Sequence, residues 1–215
     1  MRQLGRLLAC VVLFALLACG AAFAGRGDPQ EKFNPADQAR AKAMLVRVSD
    51  LPGSEGTKLG PSDDDFYCKA LDESSLTITG EAESRDITLG LLSVYSLSLV
   101  YESRRDAGIA WRQGTSAAGI SCLREEFRRE VSGPNSRFVS FRRMAFPRVG
   151  ERRVAFRGTA VGQGVPFTVD VVFLMQSRAW AALVTSGVSS APPRAEVERL
   201  ARLLGGRMKT AMRGA

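Results

Sequence analysis

The stretch Val165-Pro166-Phe167-Thr168-Val169-Asp170-Val171-Val172-Phe173-Leu174-Met175 decides the fold class. Val165, Phe167, Val169, Val171, Phe173 and Met175 alternate without a break, the period of a strand whose one face lies in a core. Upstream, Gly162-Gln163-Gly164 turns the chain out of a second strand, about residues 152–161, with Val154 and Phe156 on one face and Arg153 and Arg157 on the other. Pro147-Arg148-Val149-Gly150 separates that strand from another at 137–146. Downstream, Gln176-Ser177-Arg178 turns into a strand carrying Trp180, Ala182 and Val184 on one side. Four strands in antiparallel succession form a meander.

Helical signals flank it. After Pro192-Pro193, Val197, Leu200, Leu204 and Met208 make an apolar stripe at helical spacing. Asn34-Pro35 predicts an N-cap and first residue of a helix running to about Val46, ended by Asp50-Leu51-Pro52-Gly53. Leu76–Thr79 and the run Ile87–Glu102 read as further strands. Ser103 with Asp106 resembles a capping box, opening a helix that continues to about Arg129 with a break near Gly114. The expected fold is α+β: an antiparallel sheet of five to six strands, helices packed on one face, in a single domain over residues 36–213.

The N-terminus reads as an export signal. Arg2 and Arg6 precede an uncharged apolar stretch, Leu7–Ala18, which is short of the ~20 residues a membrane-spanning helix needs. Two processing routes fit. Ala22-Phe23-Ala24 suits cleavage between Ala24 and Gly25, giving a signal peptide over 1–24 and a flexible tether over 25–35. Leu16-Leu17-Ala18-Cys19-Gly20 resembles a lipobox, in which Cys19 would carry the lipid. Either way the domain is secreted or attached to the outer face of the cytoplasmic membrane. The remaining cysteines, Cys68 and Cys122, are then expected to pair as a structural disulfide.

Charge is placed unevenly. Residues 62–102 hold nine acids against Lys69 and Arg85, whereas residues 124–157 hold ten arginines against Glu125, Glu126, Glu130 and Glu151. Arg142, Arg143, Arg152, Arg153 and Arg157 are the candidate patch for an anionic surface. Nucleic acid is a poor partner for an exported chain without a recognised binding motif. The chain has no histidine, which removes Ser-His-Asp and Cys-His catalysis and the usual catalytic zinc sites. Asp63-Asp64-Asp65 lacks the spaced ligands of a calcium loop, and Gly158–Gly164 lies between strands rather than before a helix, so no metal or cofactor is expected. Trp111 and Trp180 read as core residues. The one route to chemistry is a carboxylate pair, Asp170 with an acid from residues 63–73, in a hydrolase or lyase.

Several segments carry a family resemblance: Ala39-Arg40-Ala41 through Ser49-Asp50-Leu51-Pro52-Gly53, Asp65-Phe66-Tyr67-Cys68, Tyr101-Glu102-Ser103 through Asp106-Ala107, Cys122-Leu123, Phe146–Glu151 and the strands from Val165 to Val184. Over about residues 36–210 the chain resembles exported proteins and lipoproteins of high-GC actinobacteria. The order of its elements is similar to the PknH-type extracellular sensor domain, which has a PsbP-like fold. The resemblance implies a non-catalytic binding or sensor-like domain of the cell envelope, whose ligand could be a protein, a small molecule or a cell-wall component. It transfers no ligand-binding residue. Those sensor domains carry two disulfides, and this chain can form one.

Overall fold

The computed structural model describes residues 27–58 and 67–214. Its strands are β1 (Gln30–Glu31), β2 (Glu55–Thr57), β3 (Thr77–Glu83), β4 (Asp86–Leu89), β5 (Leu92–Tyr101), β6 (Ser136–Met144), β7 (Arg152–Gly162), β8 (Val165–Gln176) and β9 (Ala179–Val188). The α-helices are α1 (Pro35–Met44), α2 (Arg104–Thr115), α3 (Ala117–Glu130) and α4 (Arg194–Ala211). The order across the sheet is β1-β3-β5-β9-β8-β7-β6, with β4 continuing beside β5 and β2 beside β4. The α+β class holds, and the β6–β9 meander is antiparallel throughout.

Three details differ from the sequence reading. The sheet has nine strands rather than five or six, and it is mixed, because β1 runs parallel to β3. β1 lies inside the expected tether: Gln30, Lys32 and Asn34 donate backbone hydrogen bonds to Leu76, Ile78 and Thr79. Strands this short carry too little periodicity to be read, since their pairing comes from a distant partner rather than from their own side chains. Helices also cover both faces of the sheet, not one. Phe167, Val169, Val171 and Phe173 of β8 pack with α2 and α3, while Val172 and Leu174 pack with α1 and α4. The alternation that reveals a strand fixes which residues share a face, but an apolar run such as Val171–Leu174 signals that both faces are buried.

Local chemistry explains the helices. Asn34 Oδ1 accepts from the Asp37 amide at 2.9 Å and Pro35 begins α1, as the sequence predicts. Ser103 caps α2 through the Asp106 amide, and Ser116 ends α2 and caps α3 through the Gly119 amide, which is the predicted break. α1 sits directly on β3: a Cβ at Gly80 would lie 2.3 Å from the Asp37 carbonyl oxygen, so only glycine allows this approach. In the α2/α3 core, Trp180 stacks on Phe173 with ring centroids 5.0 Å apart. Trp111, 8% exposed, is a core residue, and the partly buried Trp180 packs against that core.

The Cys68–Cys122 disulfide closes a separation of 54 residues, with Cα atoms 6.3 Å apart. It ties the segment before β3 to α3. Closing a loop of this length contributes about 4 kcal/mol on a chain-entropy basis.

Candidate functional site

Asp170 is the one candidate catalytic acid that the sequence places in a regular strand, and its surroundings define the site. It is 1% exposed on β8, on the face opposite the Phe167–Met175 row. Arg157, its cross-strand neighbour on β7, donates through Nε and Nη2 to both carboxylate oxygens, each at 2.6 Å. The hydrogen bonds to Asp170 raise the Arg157 pKa, so the guanidinium stays charged. A buried carboxylate held by a guanidinium fork is a poor base for a substrate proton, because protonating it would leave the arginine without its counter-charge.

The register builds a polar strip around this pair. One row across the sheet runs Arg142, Arg157, Asp170 and Thr185, and the next runs Ser140, Thr159, Thr168 and Gly187. Exposure falls along the strip from Arg142 at the edge strand to Thr185, which is fully buried. The Ser140 and Thr159 hydroxyls hydrogen-bond at 2.7 Å. Beyond Gly187 the chain folds back over the strip: a Cβ at Gly187 would lie 2.4 Å from the Ser190 carbonyl oxygen.

Of the five arginines expected to form one basic patch, Arg142, Arg153 and Arg157 share the α1/α4 face, while Arg143 and Arg152 pair with Phe156 and Met175 on the other. Arg157 is committed to Asp170, and Arg153 Nε donates to the Pro147 carbonyl. They therefore do not form one surface. Neighbouring residues on a strand point to opposite faces, and this separates Arg142 from Arg143 and Arg152 from Arg153.

A second set of acids lies on the α2/α3 face near β1. Glu81 and Glu83 share that face with Leu99 and Leu97 of β5, and the Tyr101 hydroxyl donates to Glu73 Oε2 at 2.8 Å. Burial pushes the Glu73 carboxyl up to about 7 despite the Tyr101 hydrogen bond. Burial, reinforced by the charges of Glu83, Glu31 and Asp28, pushes Glu81 up to about 8. Glu81 Oε1 is buried with no hydrogen-bond partner among the described residues. Glu73 and Asp170 thus lie on opposite faces of the sheet and do not converge. Asp63, Asp64 and Asp65 fall outside the described residues, as do Cys19, Ala24, Gly25 and the signal segment.

Among the described residues there is no grouping of three or more Cys, Asp or Glu side chains able to hold a metal ion. No helix among them is long and apolar enough to cross a membrane. A shallow groove between α1 and α4 is lined by Ala43, Leu203, Gly206 and Thr210, and its Arg207 is already bonded to Asp50 and to the Leu45 carbonyl.

With this geometry in hand, the chain is similar in structure to the extracellular domain of PknH from Mycobacterium tuberculosis. The match covers 82% of this chain and 98% of that one at 9% identity, with a TM-score of 0.44. It is also similar to the Rv0999 ortholog from Mycobacterium smegmatis, over 71% of this chain and 70% of that one, at 11% identity and a TM-score of 0.41. The first is of the PknH type whose order of elements the sequence resembles. No protein-family model matches the chain, and no curated protein matches it in sequence.

The Asp170–Arg157 pairing was not written in the sequence as a contact, but it had a trace there. Both residues occupy the non-apolar side of alternating strands joined by a two-residue turn, and such a hairpin fixes which positions face each other. Thr185 and Gly187 left no comparable signal.

Proposed function

We propose that the chain is an exported, non-catalytic binding or sensor-like domain of the cell envelope. On this reading residues 1–24 are removed after Ala24, or Cys19 is lipidated, and the folded domain works in the oxidising space outside the cytoplasm. The Cys68–Cys122 disulfide supports that location, because structural disulfides persist where thiols are not kept reduced.

One observation carries the non-catalytic part. Asp170, the acid best placed for chemistry, is neutralised by both forks of Arg157 and faces away from Glu73. A glycosidase-type mechanism needs two carboxyl groups about 5–9.5 Å apart across one substrate. The polar strip offers instead oriented donors on rigid strands, which suits binding.

The test is an activity screen of the purified, oxidised protein on ester, glycoside and peptide substrates, run beside Asp170→Asn. Background rates for both are expected. Enzyme-like turnover by the wild-type protein, abolished in Asp170→Asn, would overturn the reading in favour of a carboxylate-dependent hydrolase or lyase.

A further inference from the structure

Arg142 and Arg157 are direct cross-strand partners, so two arginine side chains leave neighbouring positions on one face of β6 and β7. Like charges opposite each other weaken strand pairing. Asp170 offsets only one of them: it takes Nε and Nη2 of Arg157. Arg157 Nη1 and all five N–H donors of Arg142 have no partner among the described residues. The pair is therefore one anion short.

The next position on the same face adds a neutral donor. Ser140 and Thr159 share one hydrogen bond, which uses one of their two hydroxyl protons and leaves the other free to donate. The strip is roofed at its inner end, where Ser190 crosses Gly187, and open at the outer edge, where Arg142 is exposed. Arg157 cannot swing away, because the fork on the buried Asp170 fixes its plane.

We propose that Arg142, Arg157, Ser140 and Thr159 form a binding site for a phosphoryl group. A tetrahedral oxyanion presents several acceptor oxygens in different directions, which matches two guanidinium edges and a hydroxyl better than a planar carboxylate does. The site deepens the binding reading above, on which it rests. Free phosphate esters and the headgroups of anionic phospholipids share this chemistry.

The experiment titrates the oxidised full chain with inorganic phosphate and with glycerol phosphate, following backbone amide shifts, and measures retention on vesicles of phosphatidylglycerol against phosphatidylcholine. Shifts are expected at residues 140–142 and 157–159. Arg142→Gln, at an exposed position, should weaken binding about tenfold or more. Ser140→Ala should weaken it severalfold. The double variant Arg148→Gln/Arg152→Gln removes the same kind of charge outside the site and should change it less than about twofold. Vesicle retention lost in Arg142→Gln identifies a headgroup; binding of glycerol phosphate without retention identifies a soluble ester. Absence of shifts at these residues, or equal losses in Arg142→Gln and the double variant, overturns the proposal by reducing it to diffuse attraction. Either failure leaves the activity screen untouched, so it would not by itself remove the non-catalytic reading.

Discussion

The three aspartates on the α1/α4 face and two glutamates on the α2/α3 face are held in opposite ways. On the α1/α4 face each buried or nearly buried aspartate meets an arginine fork. Arg178 donates to both oxygens of Asp37, at 3.0 and 2.8 Å, and also to the Tyr101 carbonyl. Arg207 holds both oxygens of Asp50, at 2.6 and 2.9 Å, and Arg157 holds Asp170. Burial alone would raise the Asp37 pKa, but hydrogen bonds from Arg178, Thr79, Asn34 and Arg40 hold it well below the usual carboxylate range. On the α2/α3 face, Glu73 and Glu81 have no such cation among the described residues and are pushed up to about 7 and about 8 by burial. The paired acids act as ties: Asp37 joins α1 to the β8–β9 turn, and Asp50 joins the segment after α1 to α4. The unpaired ones store a response to pH.

Breaking a tie should produce the largest effect. Arg178→Met leaves Asp37, 3% exposed, without its main partner, and a loss of about 3–5 kcal/mol is expected in urea unfolding at pH 7. A loss below 1 kcal/mol would show that the fork is not what fastens α1 to the sheet.

Glu81→Gln acts on the opposite kind of acid, and its sign depends on pH. A carboxyl whose pKa is raised in the folded state binds a proton there more readily than in the unfolded chain. Its stabilising contribution is complete below about pH 4.5 and is lost as pH rises through 8. The substitution should therefore stabilise the protein at pH 8.5, by on the order of 2 kcal/mol, and change little at pH 5. Asp37 has the reverse dependence, since its contribution appears above the unfolded carboxylate pKa and is lost only in acid. Together they place maximal stability near pH 5, where Asp37 is ionised and Glu81 protonated. A flat stability profile between pH 5 and pH 8.5 in the wild-type protein would dissolve the contrast between the faces.

The smallest expected effect is that of Tyr101→Phe, which deletes the hydroxyl donor to Glu73 Oε2. It should cost about 1 kcal/mol at neutral pH and move the Glu73 titration above 7, read by carboxyl NMR. A downward movement would mean that the hydroxyl does not favour the charged carboxyl.

Residue by residue, the architecture was legible wherever a signal is local. Alternation at Val165–Met175, the caps at Asn34 and Ser103, and the stripe Val197–Leu200–Leu204–Met208 all reappear as structure. β1 and β2 were not legible, because a strand of two or three residues takes its identity from β3 and β4. At the site, Asp170 and Arg157 stood out as polar residues in apolar strands. Whether the acid was solvated or buried depended on what packs over that face of the sheet, which no spacing announces.

The sequence by itself determined the strand periods, the helix boundaries, the lack of histidine and the two sulfurs that pair, since each depends on residue type or near-neighbour spacing. Only the tertiary structure decided which acids meet an arginine, because Asp37 and Arg178 lie 141 residues apart and meet only when β9 and α1 close on the sheet. It also put Arg142 beside Arg157 and the unpaired glutamates on the far face. Charge pairing at such distances is set by strand register and helix docking, and neither is encoded in the residues that finally touch.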